Sequence, residues 1–243
     1  MEWQGADYGD RIAGVYDELY EDTFDKVAAV DFLAEKAGTG RVLELAIGTG
    51  RIALPLKAKG AAVSGIDISE AMVARLRAKP GGADIPVTIG NFAEVAVPDR
   101  FELIYLVFNT LFALTSQDEQ IDCFRNVGQR LSDNGVFVVE AFVPDLTRFE
   151  RHQNTEVNDV QANRVMLDVS RHDPVQQTIA SQHLIVTEEG TKMYPVFLRY
   201  IWPSEMDLMA KLGGLELRER YASWRREPFT SASSVHVSVY GRA

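Results

Sequence analysis

Seven residues, Glu44-Leu45-Ala46-Ile47-Gly48-Thr49-Gly50, carry the densest chemical signal in the chain. Two glycines spaced by one residue follow the apolar run 42–45. They let the backbone turn sharply and approach a bound nucleoside. A second apolar run, 62–68, ends near Asp67. The separation of Asp67 from Gly48 resembles the ~20 residues between the glycine turn and the ribose-binding acid of a dinucleotide fold. A carboxylate there can accept hydrogen bonds from both ribose hydroxyls. Counting from Gly48, Ala53 falls at the third small-residue position of a G-x-G-x-x-G/A pattern, so the count alone admits NAD. Glu44 points elsewhere. A carboxylate ahead of the glycines gains nothing from a pyrophosphate but gains from a ligand ammonium. S-adenosylmethionine carries an ammonium and a sulfonium and has no phosphate.

These residues need elements to hold them. Apolar residues of the stretch 24–33 recur near helical spacing, and Gly38 and Gly40 end that helix. Five short apolar strands then alternate with helices as far as residue 143. Pro55 sits in the first such helix and fits best in its first turn. Ser69 and Ser116 are N-cap candidates for the next helices. This alternation predicts an α/β fold: a doubly wound, Rossmann-like, mostly parallel seven-stranded sheet with helices on both faces. The rhythm then changes. RVMLDVSRHD, QTIASQHLIVTEEG and TKMYPVFLRYIW alternate as antiparallel strands do. The expected organisation is an N-terminal helical cover (1–36), a cofactor-binding core (37–157), an inserted antiparallel β cap (158–201), and a last core helix, capped by Ser204, and strand (202–243).

Composition narrows the function. The chain has 243 residues, 46% hydrophobic and 25% charged, with net charge −10. An acidic chain is poorly suited to nucleic acid, whose binders carry a basic face. Arg218, Arg220, Arg225 and Arg226 cluster but are interleaved with acids, so they read as a solvated face. No apolar run approaches the ~18–20 residues that cross a bilayer, and the first residues lack a signal-peptide pattern. One cysteine, Cys123, sits in an apolar helical stripe and reads as core. A cytoplasmic protein is expected.

The motifs together resemble the class I S-adenosylmethionine-dependent methyltransferases. LELAIGTGR matches the family's first motif, GIDISEAM the second, GNF the third, FELIYLVFNTLFAL the fourth strand and NGVFVVE the fifth. A narrower resemblance, in layout, joins YDELY near the N-terminus to the β insertion and to RYIWPSEMDLMAKLGGLEL. It is to small-molecule N-methyltransferases of amino-sugar type. The family resemblance implies that Ala46, Gly48 and Gly50 pass under the methionine part and that Glu44 orients its amino group. Asp67 would bind the ribose diol. Ile68 and Met72 would pack on the adenine, with Asn91 on its edge and Phe92 nearby. Asn91 departs from the family's more frequent aspartate. Phe108 and Asn109 would lie near the methyl group. Tyr8, Tyr16 and Tyr20 are candidates to close the pocket. The cofactor is then S-adenosylmethionine, with S-adenosylhomocysteine as product.

Methyl transfer from a sulfonium needs alignment more than activation. A neutral amine acceptor needs no base, whereas a hydroxyl acceptor does. Candidate groups are Tyr16 and the four histidines, His152, His172, His183 and His236. His172 and His236 rank highest, because the insertion and the last loops are expected to face the pocket. Glu140 and Asp145 follow the fifth strand and could bind a polar acceptor. No metal is expected, since Asp67, Asn91 and Asn109 have other roles. The expected partner is a small-molecule acceptor, with no nucleic acid and no membrane. The edge strands of the insertion could pair two subunits as a homodimer. Two other classes fit less of the pattern: an NAD-dependent oxidoreductase and a non-catalytic adenosylmethionine-binding protein.

Overall fold

The computed structural model describes residues 5–20 and 25–243, with side chains from Tyr8 onward. Five parallel strands run through its first half: β1 (Arg41–Leu45), β2 (Ala62–Asp67), β3 (Val87–Ile89), β4 (Phe101–Leu106) and β5 (Leu131–Phe142). Their residues alternate between two separate cores, as a strand covered on both faces must. Leu43, Leu45, Ile104, Leu106, Phe137 and Val139 point into one core. Val42, Leu103, Tyr105 and Val138 point into the other. The first core is closed by α6 (Gln117–Arg130) and α7 (Pro203–Leu212), through Phe124, Val127, Met206 and Met209. The second is closed by α3 (Lys26–Ala37) and α4 (Ala53–Ala58), through Phe32, Leu33 and Leu56. Each such apolar side chain, fully buried, contributes about 1.5–3 kcal/mol.

Two antiparallel strands, β10 (Leu215–Tyr221) and β11 (Val235–Arg242), complete a seven-stranded sheet in the order β10-β11-β5-β4-β1-β2-β3. The fold is the mostly parallel, doubly wound sheet that the strand–helix alternation predicts. Pro55 does lie in the first turn of α4. Ser69 caps α5 (Glu70–Ala78), its Oγ accepting from the Met72 N–H at 3.2 Å. Ser116 and Glu119 form a reciprocal capping box on α6. Cys123 is buried on α6, its thiol pushed up by burial. Among the described residues, no helix is long and apolar enough to cross a membrane.

The insertion is a separate four-stranded antiparallel sheet: β6 (Gln153–Val160), β7 (Arg164–Asp173), β8 (Thr178–Thr187) and β9 (Gly190–Arg199). It starts with β6, ahead of the expected residue 158, because QNTEVNDV has no apolar alternation to announce a strand. Two further details differ from the sequence reading. Helix α7 begins with Pro203 at its first position and Trp202 as N-cap, so Ser204 lies inside the helix rather than capping it. Strand β10 went unrecognised because charged residues fill LELRERY. Arg220 on it is neutralised by Asp207 on α7 at 2.5 Å, and Arg225 and Arg226 pair with Asp25 and Glu35. The arginine cluster is thus a set of ion pairs. Near the N-terminus, α1 (Gly5–Ile12) and α2 (Tyr16–Leu19) lie over the carboxyl ends of the parallel strands, with α1 packed on α5 and β9.

Candidate functional site

In an open α/β sheet, ligands bind beyond the carboxyl ends of the parallel strands. There the turn after β1 rises to meet the N-terminal helices and the inserted sheet. A cavity of about 1040 Å³ lies between them. Tyr8, Tyr16, Ala46, Gly48, Asp67 and Ile68 line it, as do Met72, Asn91, Phe92 and Phe108. Glu44 lies beneath, fully enclosed apart from 3% of its surface. Gly50 is not on the wall. A Cβ there would come within 2.2 Å of the Leu76 side chain, and its φ of 75° favours glycine, so it packs the turn onto α5. Gly48 differs: φ is 57°, and a Cβ would meet only a backbone oxygen at 3.9 Å. Its space opens toward the cavity, leaving room for a ligand against the backbone.

Asp67 is held by the backbone. Its Oδ2 accepts from the Gly48 N–H at 2.6 Å and its Oδ1 from the Ser69 N–H at 2.8 Å. Burial raises its pKa, against these two bonds, which favour the charged form. Each oxygen keeps a second lone pair for a ligand hydroxyl. Glu44 takes a hydrogen bond from the Tyr105 hydroxyl at 2.8 Å. Burial, reinforced by the nearby Asp67 charge, overcomes that bond and pushes the Glu44 carboxyl up to about 8. A ligand cation would reverse this shift. Asn91 uses its side-chain oxygen to accept the Ala93 N–H at 2.9 Å, so its amide N–H₂ is the group it offers the cavity.

At the end of β4, Phe108 and Asn109 are consecutive left-handed residues, with φ of 65° and 60°. Such strain persists only where the surroundings enforce it. Glu140 on β5 does so: its Oε2 accepts the Phe108 N–H at 2.9 Å, while Oε1 accepts the Trp224 indole N–H at 3.0 Å. Asn109 Oδ1 accepts the Phe142 N–H at 2.6 Å. Glu140 therefore shapes the strand tips. Asp145 bonds locally to Thr147.

The N-terminal helices close the site from above. Asp10 accepts from the Ser69 hydroxyl at 2.6 Å, and Asp17 accepts from the Thr49 hydroxyl at 2.5 Å. Lys79 joins Asp17 at 2.6 Å and the Thr49 carbonyl at 2.8 Å. Arg51 donates to the Tyr20 carbonyl at 2.5 Å and lies 3.8 Å above the Phe108 ring. Tyr8 and Tyr20 share a hydroxyl hydrogen bond of 3.1 Å, and the Tyr16 and Tyr20 rings are 4.9 Å apart. Burial raises all three phenols, Tyr16 to about 12.

Comparison with known proteins bears directly on this geometry. Residues 42–135 match the family described as "Methyltransferase domain". The CcbJ methyltransferase of Streptomyces caelestis superposes with a TM-score of 0.94 at 40% identity, covering 99% of this chain and all of that one. The chain belongs to the S-adenosylmethionine-dependent methyltransferases. It is therefore an enzyme that uses S-adenosylmethionine, and the oxidoreductase and non-catalytic alternatives fall away. This methyltransferase is also 26% identical to the cypemycin N-terminal methyltransferase of a Streptomyces species, over 94% of its own length and 98% of the relative's. Its fold is shared with CalS10, an amino pentose methyltransferase from Micromonospora echinaspora solved with bound cofactor. That TM-score is 0.68 at 18% identity, covering 98% of both chains.

Two histidines that rank highest by sequence do not reach the cavity. His236 lies on β11 in the sheet interior, fully buried, with Nδ1 2.8 Å from the Ser238 hydroxyl. Burial drives its pKa down to about 3. The expectation that it sits in a pocket-facing loop fails because the strand starts at Val235. His172 on β7 stacks on Phe149 and contacts the Tyr200 hydroxyl at 2.9 Å. That is packing beneath the inserted sheet, away from the cavity wall. The histidine on the wall is His183, on β8. It stands opposite Asp168 of β7 and Tyr194 of β9 in the register of the inserted sheet. Asp168, Ser181 and Gln182 line the cavity beside it, and sequence reasoning did not single them out. A signal existed: with the β7–β8 turn at 174–177, antiparallel pairing places Asp168 opposite His183. Among the described residues, no group of three or more His, Cys, Asp or Glu is placed to hold a metal.

Proposed function

We propose that this methyltransferase acts on the amino nitrogen of a small natural-product precursor, in the cytoplasm. The observation that carries the reading is the set of buried phenols. Tyr8, Tyr16 and Tyr20 titrate above their ordinary value, Tyr16 near 12. At neutral pH they are uncharged, as a phenol is at its ordinary value, so they offer the acceptor hydrogen bonds rather than a base. They can align a neutral amine, which needs no base. Two relatives agree with this reading: one is an N-terminal methyltransferase and another an amino pentose methyltransferase.

The residues fit the cofactor. The opening at Gly48 admits a ligand against the backbone, Glu44 offers a carboxylate for an ammonium, and Asp67 offers lone pairs for a ribose diol. Ile68 and Met72 supply an apolar face, and Asn91 an amide at its edge. When bound, S-adenosylmethionine supplies a methyl group already activated by its sulfonium. The protein's own contribution is then alignment and exclusion of water. Phe108, fixed by Glu140, sets the wall beside the transfer. Tyr16 and Tyr20, pinned by Arg51, cover it. Tyr8 orients Tyr20. The cavity exceeds the usual size of a single small-ligand site, leaving space for the acceptor between phenols and inserted sheet.

The test is formation of S-adenosylhomocysteine from purified protein, S-adenosylmethionine and a panel of amino sugars and small peptides with free amines, beside their N-acetylated counterparts. Turnover of amines but not of acetylated forms supports the reading. Turnover of hydroxyl acceptors alone would sink it.

A further inference from the structure

The wall facing the cofactor turn is the inner face of the inserted sheet, and it is polar in a sheet otherwise rich in valine and leucine. One row across it is Asp168, His183 and Tyr194; the next is Ser170, Ser181 and Val196. Asp168 lies in both the cavity wall and the sheet. Its Oδ2 is 3.4 Å from His183 Nδ1. Its Oδ1 is shielded from water and has no hydrogen-bond partner. A buried carboxylate oxygen without a donor is costly, and the quarter of the Asp168 side chain that stays exposed on the cavity wall is where a ligand can reach the charge. A carboxylate is an acceptor, so the ligand group it fits is a donor, and a charged one is favoured.

The groups around Asp168 leave that place open. His183, on β8, approaches the other oxygen to 3.4 Å. Arg164, on the same strand, is engaged by Glu18 and Asp159. Tyr20, on the N-terminal side, feels the Asp168 charge, which raises its hydroxyl's pKa. Tyr20 in turn meets the Phe108 ring edge-on, with centroids 6.2 Å apart. Asp168 is thus one aromatic residue removed from the wall at the end of β4.

We infer that Asp168, oriented by His183, is the docking carboxylate for the acceptor's cationic amino group, which makes it a specificity-determining residue of this enzyme. The inference rests on the reading of the acceptor as a small amine. Alkyl amines reach a protein in water mainly as ammonium ions. Asp168 meets the acceptor in that form, through the part of its carboxylate that stays open to the cavity. It acts on capture and selection; the ammonium gives its proton to bulk water before methyl transfer, which frees the nitrogen lone pair that attacks the methyl carbon. Asp168 is a positioning residue, and its loss falls on KM more than on kcat.

The probe is glucosamine, set against glucose, which has a hydroxyl in place of the amine. Binding of each to the protein saturated with S-adenosylhomocysteine is followed by saturation-transfer NMR. S-adenosylhomocysteine affinity, measured first, reports separately on the methyltransferase site. The wild-type protein is expected to prefer glucosamine by about tenfold or more, as a charge-assisted bond requires. Asp168→Asn erases that preference, Asp168→Glu retains part of it, and both keep wild-type affinity for S-adenosylhomocysteine and a cooperative melt. With an amine substrate in hand, Asp168→Asn raises KM by about tenfold and leaves kcat within about twofold. Equal binding of the two sugars by the wild-type protein, or an undiminished glucosamine preference in Asp168→Asn, would overturn the inference.

Discussion

The two walls of the cavity are built on opposite principles. On the cofactor side, Asp67 is held by the N–H groups of Gly48 and Ser69, and Glu44 by the Tyr105 hydroxyl. Its polar groups are fixed before any ligand arrives. On the inserted sheet, Asp168 presents a partly exposed carboxylate with no backbone N–H holding it. One wall is preorganised for a constant ligand. The other leaves its charge open to a variable one. An enzyme family that keeps one cofactor and changes acceptors is expected to divide its surface this way.

The first way to break this comparison is Asp67→Ala. Losing its charge-assisted bonds should weaken S-adenosylmethionine binding by about 1.5–3 kcal/mol, roughly ten- to a hundredfold. Calorimetric titration reads it, and unchanged affinity in a folded variant would mean that the cofactor wall is misplaced. Next in size is Glu44→Gln. The folded Glu44 titrates near 8 against an ordinary value of 4.5. Between those values the folded protein holds a proton that the unfolded chain has released. Stability of the cofactor-free protein therefore falls as pH rises through that window. Melting from about pH 5 to about pH 8 should show the decline, and Glu44→Gln should flatten it. A bound ammonium needs the carboxylate, so cofactor uptake at neutral pH should release up to about one proton. Calorimetry in buffers of different ionisation heat detects it, and the variant should abolish it.

Smaller effects sharpen the contrast at its margin. Tyr8→Phe removes the 3.1 Å bond to Tyr20 and should cost about 1 kcal/mol in stability. A lower kcat with nearly unchanged cofactor affinity would place Tyr20 with the acceptor, and the reverse would move it to the cofactor wall. Smallest of all is His236→Leu. Its Nε2 is buried without a partner, so an apolar replacement should alter stability by only about 1 kcal/mol and leave steady-state kinetics alone. A large loss of kcat would restore His236 to the site.

The cofactor wall was legible in the sequence because backbone conformation demanded particular residues. A turn with φ of 57° at Gly48 and 75° at Gly50 writes glycine into the chain, and the strand-end acid follows at a set distance. The acceptor wall left no such trace. A β-strand offers alternate faces, and nothing local says which one meets a cavity, so Asp168 and His183 looked like ordinary strand polars. His172 shares the face of Asp168 but stands farther along β7, where Phe149 and Tyr200 cover it, and His236 lies inside the large sheet. The clasp of Asp10 and Asp17 onto Ser69 and Thr49 joins residues separated by 59 and 32 positions. Only the folded chain brings them together.

The position of β11 has a consequence for how the molecule comes into being. Residues 235–242 lie inside the large sheet, hydrogen-bonded to β5 on one side and β10 on the other. As the chain is synthesised, β5 must keep an unpaired flank, and β10 has no sheet neighbour, until residue 242 has emerged. Every other named strand and helix is thus made before the sheet can close. The nascent protein spends that interval with an open strand edge, the kind of surface that chaperones shield and aggregates grow from.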